Sequence, residues 1–108
     1  EVPADIKLKN PDDWNFIFQA MTDVMHGKQG TARSSGRGAL YQMAGKTGTA
    51  EDSTGGPDHA WFGCYAPYPD GQIVVVAFAQ NTPGGGSVHA LPMAKKVLAV
   101  WEQSRRKG

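Results

Sequence analysis

The most informative stretch of this chain is Ala44-Gly45-Lys46-Thr47-Gly48-Thr49-Ala50. Read as a β-strand, its period-two alternation places Thr47 and Thr49 on one face and Lys46 on the other. Two neighbouring hydroxyl groups can hold a carboxylate by hydrogen bonds, and Lys46 can reach round the strand edge and raise the positive potential there. Because Gly48 has no side chain, an extended peptide could pair with this edge as an added strand. The backbone N–H of Thr49 would then be free to stabilise a developing oxyanion.

A phosphate-binding loop is the competing interpretation of the same residues, because Gly45-Lys46-Thr47 matches the end of that motif. The motif also requires a glycine five positions before Gly45, where this chain has Leu40. A phosphate-binding loop opens a helix, whereas this stretch runs into a glycine- and proline-rich connection at 55–57. The strand is therefore the favoured interpretation.

A helix is predicted before this strand, over residues 11–26. Asn10 is typical of an N-cap, Pro11 of a first helical position and Gly27 of a helix end. Apolar side chains recur within the helix at helical spacing and form one stripe: Trp14, Ile17, Phe18, Met21 and Met25.

Three strands are predicted over 41–50, 60–66 and 73–80, followed by a second helix over 91–104. Short connections between the strands favour antiparallel pairing, so the fold class is α/β of the α+β type, a three-stranded antiparallel sheet flanked by helices. Residues 73–80 form a nearly continuous apolar run, which is typical of a strand covered on both faces. The two helices can supply part of that cover, and the rest is expected to lie outside the chain.

Composition excludes several classes of function. A net charge of +1 argues against an electrostatic nucleic-acid binder, and no apolar run is long enough to span a bilayer. The single cysteine, Cys64, excludes an internal disulfide framework and a cysteine-based zinc site. The histidines His26, His59 and His89 are too scattered to indicate a metal site. We expect neither a metal nor another cofactor.

The wider pattern of motifs points to one family. Residues 24–27 read Val-Met-His-Gly, 30–32 Gly-Thr-Ala, 59–62 His-Ala-Trp-Phe and 84–86 Gly-Gly-Gly. Together with Lys46-Thr47-Gly48, these motifs resemble the class B penicillin-binding proteins, most closely the penicillin-binding protein 2 type. The resemblance covers roughly residues 12–103 and identifies the chain as the C-terminal part of a transpeptidase domain of the penicillin-binding and serine β-lactamase-like fold.

The resemblance implies a serine-type peptidoglycan D,D-transpeptidase of the cell-elongation machinery. Lys46 would assist proton transfer, Thr47, Gly48 and Thr49 would bind the D-Ala-D-Ala end of a stem peptide or a β-lactam, and the Thr49 N–H would form part of the oxyanion hole. His59 and Trp61 are expected at the cleft rim. Further implied partners are the missing N-terminal part of the domain and a membrane glycan polymerase. The implied location is the outer, periplasmic face of the bacterial cytoplasmic membrane, with the anchor in a segment absent here.

The chain departs from the family pattern in two motifs. It has no Ser-x-Asn, and its only Ser-x-x-Lys is Ser104 to Lys107 in a polar tail, whereas the family carries this motif on a buried helix far upstream. The nucleophile is therefore expected to be absent, and the isolated chain inactive. The alternatives are a β-lactamase, D,D-carboxypeptidase or β-lactam sensor domain of the same superfamily, or a peptide-binding α/β module without catalysis.

Overall fold

The computed structural model describes residues 2–33 and 42–107, and within them an α+β fold. Helix α1 spans Asp12–His26, and strands β1, β2 and β3 span Ala44–Ala50, His59–Ala66 and Ile73–Ala79. A single π-helical turn, Gly86–Ala90, leads into helix α2, Leu91–Lys107. The strands form one antiparallel sheet in the order β1-β2-β3, which confirms the predicted fold class. The first strand begins later than predicted, because positions 42 and 43 precede β1 without belonging to it; the predicted start at position 41 lies outside the described residues.

Helix α1 begins one residue later than predicted. Pro11, and not Asn10, is the N-cap, and its own side chain makes no capping bond. Asn10 still acts on the helix start, because its Oδ1 accepts a hydrogen bond from the N–H of Asp12 at 3.0 Å. The residue thus satisfies one of the amide groups that a helix N-terminus leaves without a partner.

The end of α1 requires a glycine because of close packing. Gly27 is the C-cap, with extended backbone angles of φ −66° and ψ 152°, so the left-handed conformation common at such positions is not used here. Instead, a Cβ atom at Gly27 would lie 2.7 Å from the carbonyl oxygen of Asp23. Any larger residue would push the chain away from the last turn of the helix.

The two faces of the sheet differ in their cover. The covered face consists of alternate residues of β2 and their neighbours on β3, and helix α2 packs on it through Leu91, Ala94 and Leu98. Its β2 members are all buried: Ala60, Phe62, Cys64 and Ala66. The open face carries the side chains in between, among them Trp61, Tyr65, Val74, Val76 and Phe78. Of these, Tyr65 contacts Phe18 of α1.

Strand β3 is therefore covered on one face only by the described residues. Val74 and Val76 are 73% and 64% exposed, and the cover that the apolar run predicts for this face from outside the chain stays a prediction. β3 also lies at an edge of the sheet, and β2 is the central strand. The prediction that both helices would share in covering this strand is met by α2 alone, since α1 lies against β1.

Helix α2 extends further than predicted and includes the segment expected to be a tail. Glu102 accepts a hydrogen bond from Arg106 at 3.0 Å, one turn further on, and Arg105 lies over the Trp101 ring at 4.6 Å. Such pairs stabilise a last helical turn. Ser104 lies on this helix and is exposed, unlike the buried setting that a nucleophilic serine motif requires.

Candidate active site along the β1 edge

Strand β1 lies at the edge of the sheet, and its register fixes the faces of the predicted site residues. Thr47 pairs with Phe62 and Thr49 pairs with Ala60, so both threonines lie on the covered face at its rim. Lys46 pairs with Gly63 and belongs to the opposite face. The predicted alternation of the threonines and the lysine is therefore present in the sheet.

The free edge of β1 carries backbone groups that the sheet does not use. Lys46 Nζ donates a hydrogen bond to the carbonyl oxygen of Thr47 at 2.7 Å, so this carbonyl points away from β2 and the lysine reaches round the edge. In a β-strand, backbone groups of residues two apart point to the same edge. The N–H of Thr49 is accordingly directed to the same free edge as Thr47.

A third threonine hydroxyl, from the segment after α1, lies beside that of Thr47. Thr31 Oγ1 is 3.2 Å from Thr47 Oγ1, within hydrogen-bond distance. The two hydroxyls adjoin an open groove of about 590 Å³ that Thr31 and Lys46 line together with the end of α1. Residues 30–32 carried the family resemblance, but their contact with Thr47 was not foreseen. The chain reversal after α1 brings them there, since the N–H of Ala32 bonds back to the carbonyl of Val24 at 3.0 Å.

The glycine-rich loop before α2 packs directly on the other end of β1. A Cβ atom at Gly85 would lie 3.1 Å from Thr49 Oγ1, and one at Gly86 would lie 3.0 Å from the backbone nitrogen of Gly48. Gly85 has a φ of +78°, which side chains disfavour. The loop therefore sets the position of Thr49 from the covered face, and only glycine allows so close an approach.

His59 and Trp61 lie on the face opposite the threonines. Trp61 packs on Phe78 with a ring separation of 4.5 Å, and His59 contacts the same ring at 5.4 Å. The two residues form an aromatic row with Phe78 along the open face. Their expected place at a cleft rim stays a prediction.

A polar network that the sequence did not reveal joins the two connections at this end of the sheet. Asp52 accepts hydrogen bonds from Thr54 Oγ1 at 2.6 Å and from Asn81 Nδ2 at 3.1 Å. The backbone N–H of Asn81 donates to His59 Nδ1 at 3.0 Å. The hydrogen bonds from Thr54 are the main cause of a lowered pKa of the Asp52 carboxyl group.

The comparisons with known proteins identify the family. The family model described as "Penicillin binding protein transpeptidase domain" matches residues 10–99. The chain belongs to the penicillin-binding protein transpeptidase family.

Two curated relatives of this family show how much of a transpeptidase the chain covers. It is 35% identical to peptidoglycan D,D-transpeptidase MrdA of Haemophilus influenzae, over 94% of the chain and 18% of that protein. It is 32% identical to peptidoglycan D,D-transpeptidase PbpA of Mycolicibacterium smegmatis, over 78% of the chain and 18% of the relative. The chain thus spans less than a fifth of the length of these relatives.

Solved structures of the family have the same fold. The Pseudomonas aeruginosa PBP2 in complex with WCK 5153 matches with a TM-score of 0.80 and 39% identity, over 91% of this chain and 21% of that one. The complex between PBP2 and MreC from Helicobacter pylori matches with a TM-score of 0.73 and 27% identity, over 85% of this chain and 17% of that one. Both carry the name of the penicillin-binding protein 2 type, to which the motifs pointed.

The remaining reactive side chains of this transpeptidase-family chain lie apart from one another. Burial raises the pKa of the Cys64 thiol to about 11. His26 lies exposed at the end of α1, and His89 pairs with the carbonyl of Pro83. Over residues 2–33 and 42–107, no three His, Cys, Asp or Glu side chains gather as metal ligands would.

Proposed function

We propose that this chain forms the Lys-Thr-Gly wall of the active site of a peptidoglycan D,D-transpeptidase. The observation that carries the proposal is the hydrogen bond from Lys46 Nζ to the Thr47 carbonyl at the free edge of β1. It brings the Lys46 cation to the edge to which the Thr49 N–H is directed, beside the rim of the covered face where the hydroxyls of Thr47 and Thr49 lie. Such an edge fits the carboxylate and extended backbone of a D-Ala-D-Ala terminus.

Each group at the edge has a role in this proposal. The substrate backbone pairs with β1 beside Gly48, and the hydroxyls of Thr47 and Thr49 hold its terminal carboxylate. The Thr49 N–H donates to the carbonyl oxygen of the penultimate D-Ala as negative charge develops there. Lys46 stabilises that charge and assists proton transfer at the nucleophile. Each group therefore acts on the scissile carbonyl or the adjoining carboxylate.

The nucleophile in this proposal is a serine of a Ser-x-x-Lys motif outside these residues, in an N-terminal part of the same domain. Its oxygen attacks the penultimate D-Ala carbonyl carbon, the bond to the terminal D-Ala breaks, and that D-Ala leaves with the proton as a free amine. The amine of a second stem peptide then attacks the acyl ester and releases the serine. A β-lactam would acylate the same serine by opening of its ring.

The location and partners follow from the same proposal. The substrate class places the enzyme at the outer, periplasmic face of the cytoplasmic membrane, held by an anchor elsewhere in the protein. In the described residues, neither helix has the length and hydrophobicity that crossing a bilayer requires. A membrane glycan polymerase would supply the strands to be cross-linked, and the solved complex of Helicobacter pylori PBP2 with MreC supports assembly with a further protein.

The test is covalent labelling with a fluorescent penicillin. The 108-residue chain alone should give no labelled band, whereas the protein in which it is joined to a Ser-x-x-Lys segment should be labelled stoichiometrically. Lys46→Ala in that protein should slow acylation by roughly 10²- to 10⁴-fold, the usual contribution of a group that assists proton transfer. Lys96→Ala, at an exposed position of α2, is the matched control and should react at the wild-type rate.

Three outcomes would contradict the proposal. Stoichiometric labelling of the isolated chain would place a nucleophile within it. An unchanged acylation rate in Lys46→Ala would remove the lysine from the reaction. Rapid turnover of the bound penicillin would indicate a β-lactamase instead.

A further inference from the structure

Asn81 has an unusual conformation and occupies the junction of two connections. It is the second residue after β3 and begins the loop that leads to the glycine-rich segment. Its φ is +50°, the only positive value of a non-glycine residue among residues 2–33 and 42–107. Strained positions of this kind persist only where the surroundings hold them in place, and they are enriched at functional sites.

The backbone and the side chain of Asn81 form hydrogen bonds to different segments of the chain. Its N–H donates to His59 Nδ1 at 3.0 Å, at the start of β2. Its side-chain Nδ2 donates to Asp52 Oδ2 at 3.1 Å and to the Pro57 carbonyl at 2.8 Å, both in the connection that follows β1. One residue therefore ties the end of β3 to the start of β2 and to the exit from β1.

The network packs closely around Gly56. A Cβ atom there would lie 2.6 Å from Asp52 Oδ2 and 3.2 Å from Asn81 Nδ2. His59 completes the network, because its Nε2 lies 3.7 Å from Asp52 Oδ1. Since Nδ1 accepts the Asn81 N–H, the ring proton must be on Nε2, the nitrogen that faces Asp52.

Both sides of Thr49 depend on this network. On one side the chain runs from Thr49 through Ala50, which pairs with His59, to the anchored Asp52. On the other side the loop runs from Asn81 to Gly85, which packs on the Thr49 hydroxyl. The start of this loop is anchored to the end of β3, because Thr82 Oγ1 donates to the Ala79 carbonyl at 3.0 Å.

We propose that Asn81, with Asp52 and His59, forms a positioning network that holds the Thr49 N–H and hydroxyl in the geometry required for acylation. The proposal deepens the proposed function and rests on it. The three residues do not touch the substrate but act through Thr49. Because a misplacement of about 1 Å far from the reacting atoms can cost roughly 100-fold in rate, loss of the network should lower the acylation rate constant more than penicillin affinity.

Two pairs of variants test this positioning role in the penicillin-reactive protein that contains the chain. Asn81→Gly keeps the positive φ and the N–H to His59 but removes both side-chain bonds, and it should slow acylation roughly 10- to 100-fold. Asp58→Asn, an exposed acid of the same connection, is the matched control and should leave the rate unchanged. His59→Ala should slow acylation similarly, whereas His59→Asn should restore most of the rate, because its Oδ1 can replace Nδ1 as acceptor.

The backbone amide resonance of Thr49 is the readout that separates this inference from the proposed function. Asn81→Gly and His59→Ala should shift it, and Asp58→Asn should not. An unmoved Thr49 amide, or variants with lower melting temperature but wild-type acylation rate, would overturn the positioning role. If the wild-type protein does not react with penicillin, the proposed function fails, and the Thr49 amide alone then decides whether the network holds this residue.

Discussion

The two faces of the sheet are built from alternate residues of the same strands, yet they differ in their exposure and in what packs on them. On the covered face, Phe62 and Cys64 are buried beneath α2. On the open face, Trp61 and Val76 are 41% and 64% exposed. The difference shows that apolar character alone does not determine burial within a chain. The covered face holds the fold together and carries Thr47 and Thr49 at its rim, whereas the open face is a surface on which few residues of this chain pack.

Removing the largest side chain of the covered face should have the largest effect on stability. Phe62 is fully buried, so Phe62→Ala should destabilise the fold by about 3–5 kcal/mol through lost burial and an internal cavity. Val76→Ala on the open face is the control and should change stability by less than about 0.5 kcal/mol. Chemical denaturation measures both values. Equal losses in the two variants would contradict the assignment of one covered and one open face.

Adding one methyl group at a glycine should show the same contrast between the two faces, with a smaller loss of stability. A Cβ atom at Gly86 would clash with the Trp61 carbonyl oxygen, whereas one at Gly63 would meet no atom within 4 Å. Gly86→Ala should therefore cost about 1–3 kcal/mol, as overpacking does, and Gly63→Ala should be close to neutral. Thermal unfolding compares the pair. A destabilised Gly63→Ala would show that the open face is packed.

The last contrast between the two faces is one of reactivity and concerns the thiol of Cys64. Burial raises the pKa of Cys64 from 9.0 to about 11, which lowers its thiolate fraction at pH 8 by about 100-fold. Cys64 should react slowly with a thiol reagent, whereas the single thiol of the double variant Cys64→Ala, Val76→Cys should react rapidly. Because the unfolded chain loses the thiol proton first, stability should fall as pH rises from 9 towards 11. Rapid modification of Cys64 in the folded protein would contradict its burial.

The sequence alone predicted the elements in which polar or apolar side chains recur at a regular spacing. The alternation around Lys46 predicted β1, and the stripe that includes Met25 predicted α1. An apolar run such as β3 records a tendency to be buried and not the element that buries it: α2 covers one face, and the cover expected from outside the chain for the other face stays a prediction. The last turn of α2 was missed because its stability comes from side-chain pairs such as Glu102 with Arg106, which a polar composition conceals.

The site was predictable only in part, for a geometric reason. Lys46, Thr47 and Thr49 are close in sequence, so strand alternation alone relates them. Asp52, His59 and Asn81 come from three separate segments, and they meet only because antiparallel register brings the start of β2 beside the end of β3. A positive φ at Asn81 is likewise set by tertiary contacts. Asparagine before a proline- and glycine-rich loop was the one available signal.

The order of the strands along the chain has a consequence for how this wall of the site is made. β1, β2 and β3 are neighbours in space in the same order as in sequence, and they are joined by the short segments 51–58 and 67–72. Closing such loops costs little chain entropy, and sheets built from local pairings fold faster than those built from distant ones. The strand that carries Lys46 can therefore acquire its shape from its immediate successors, within a single stretch of newly made polypeptide.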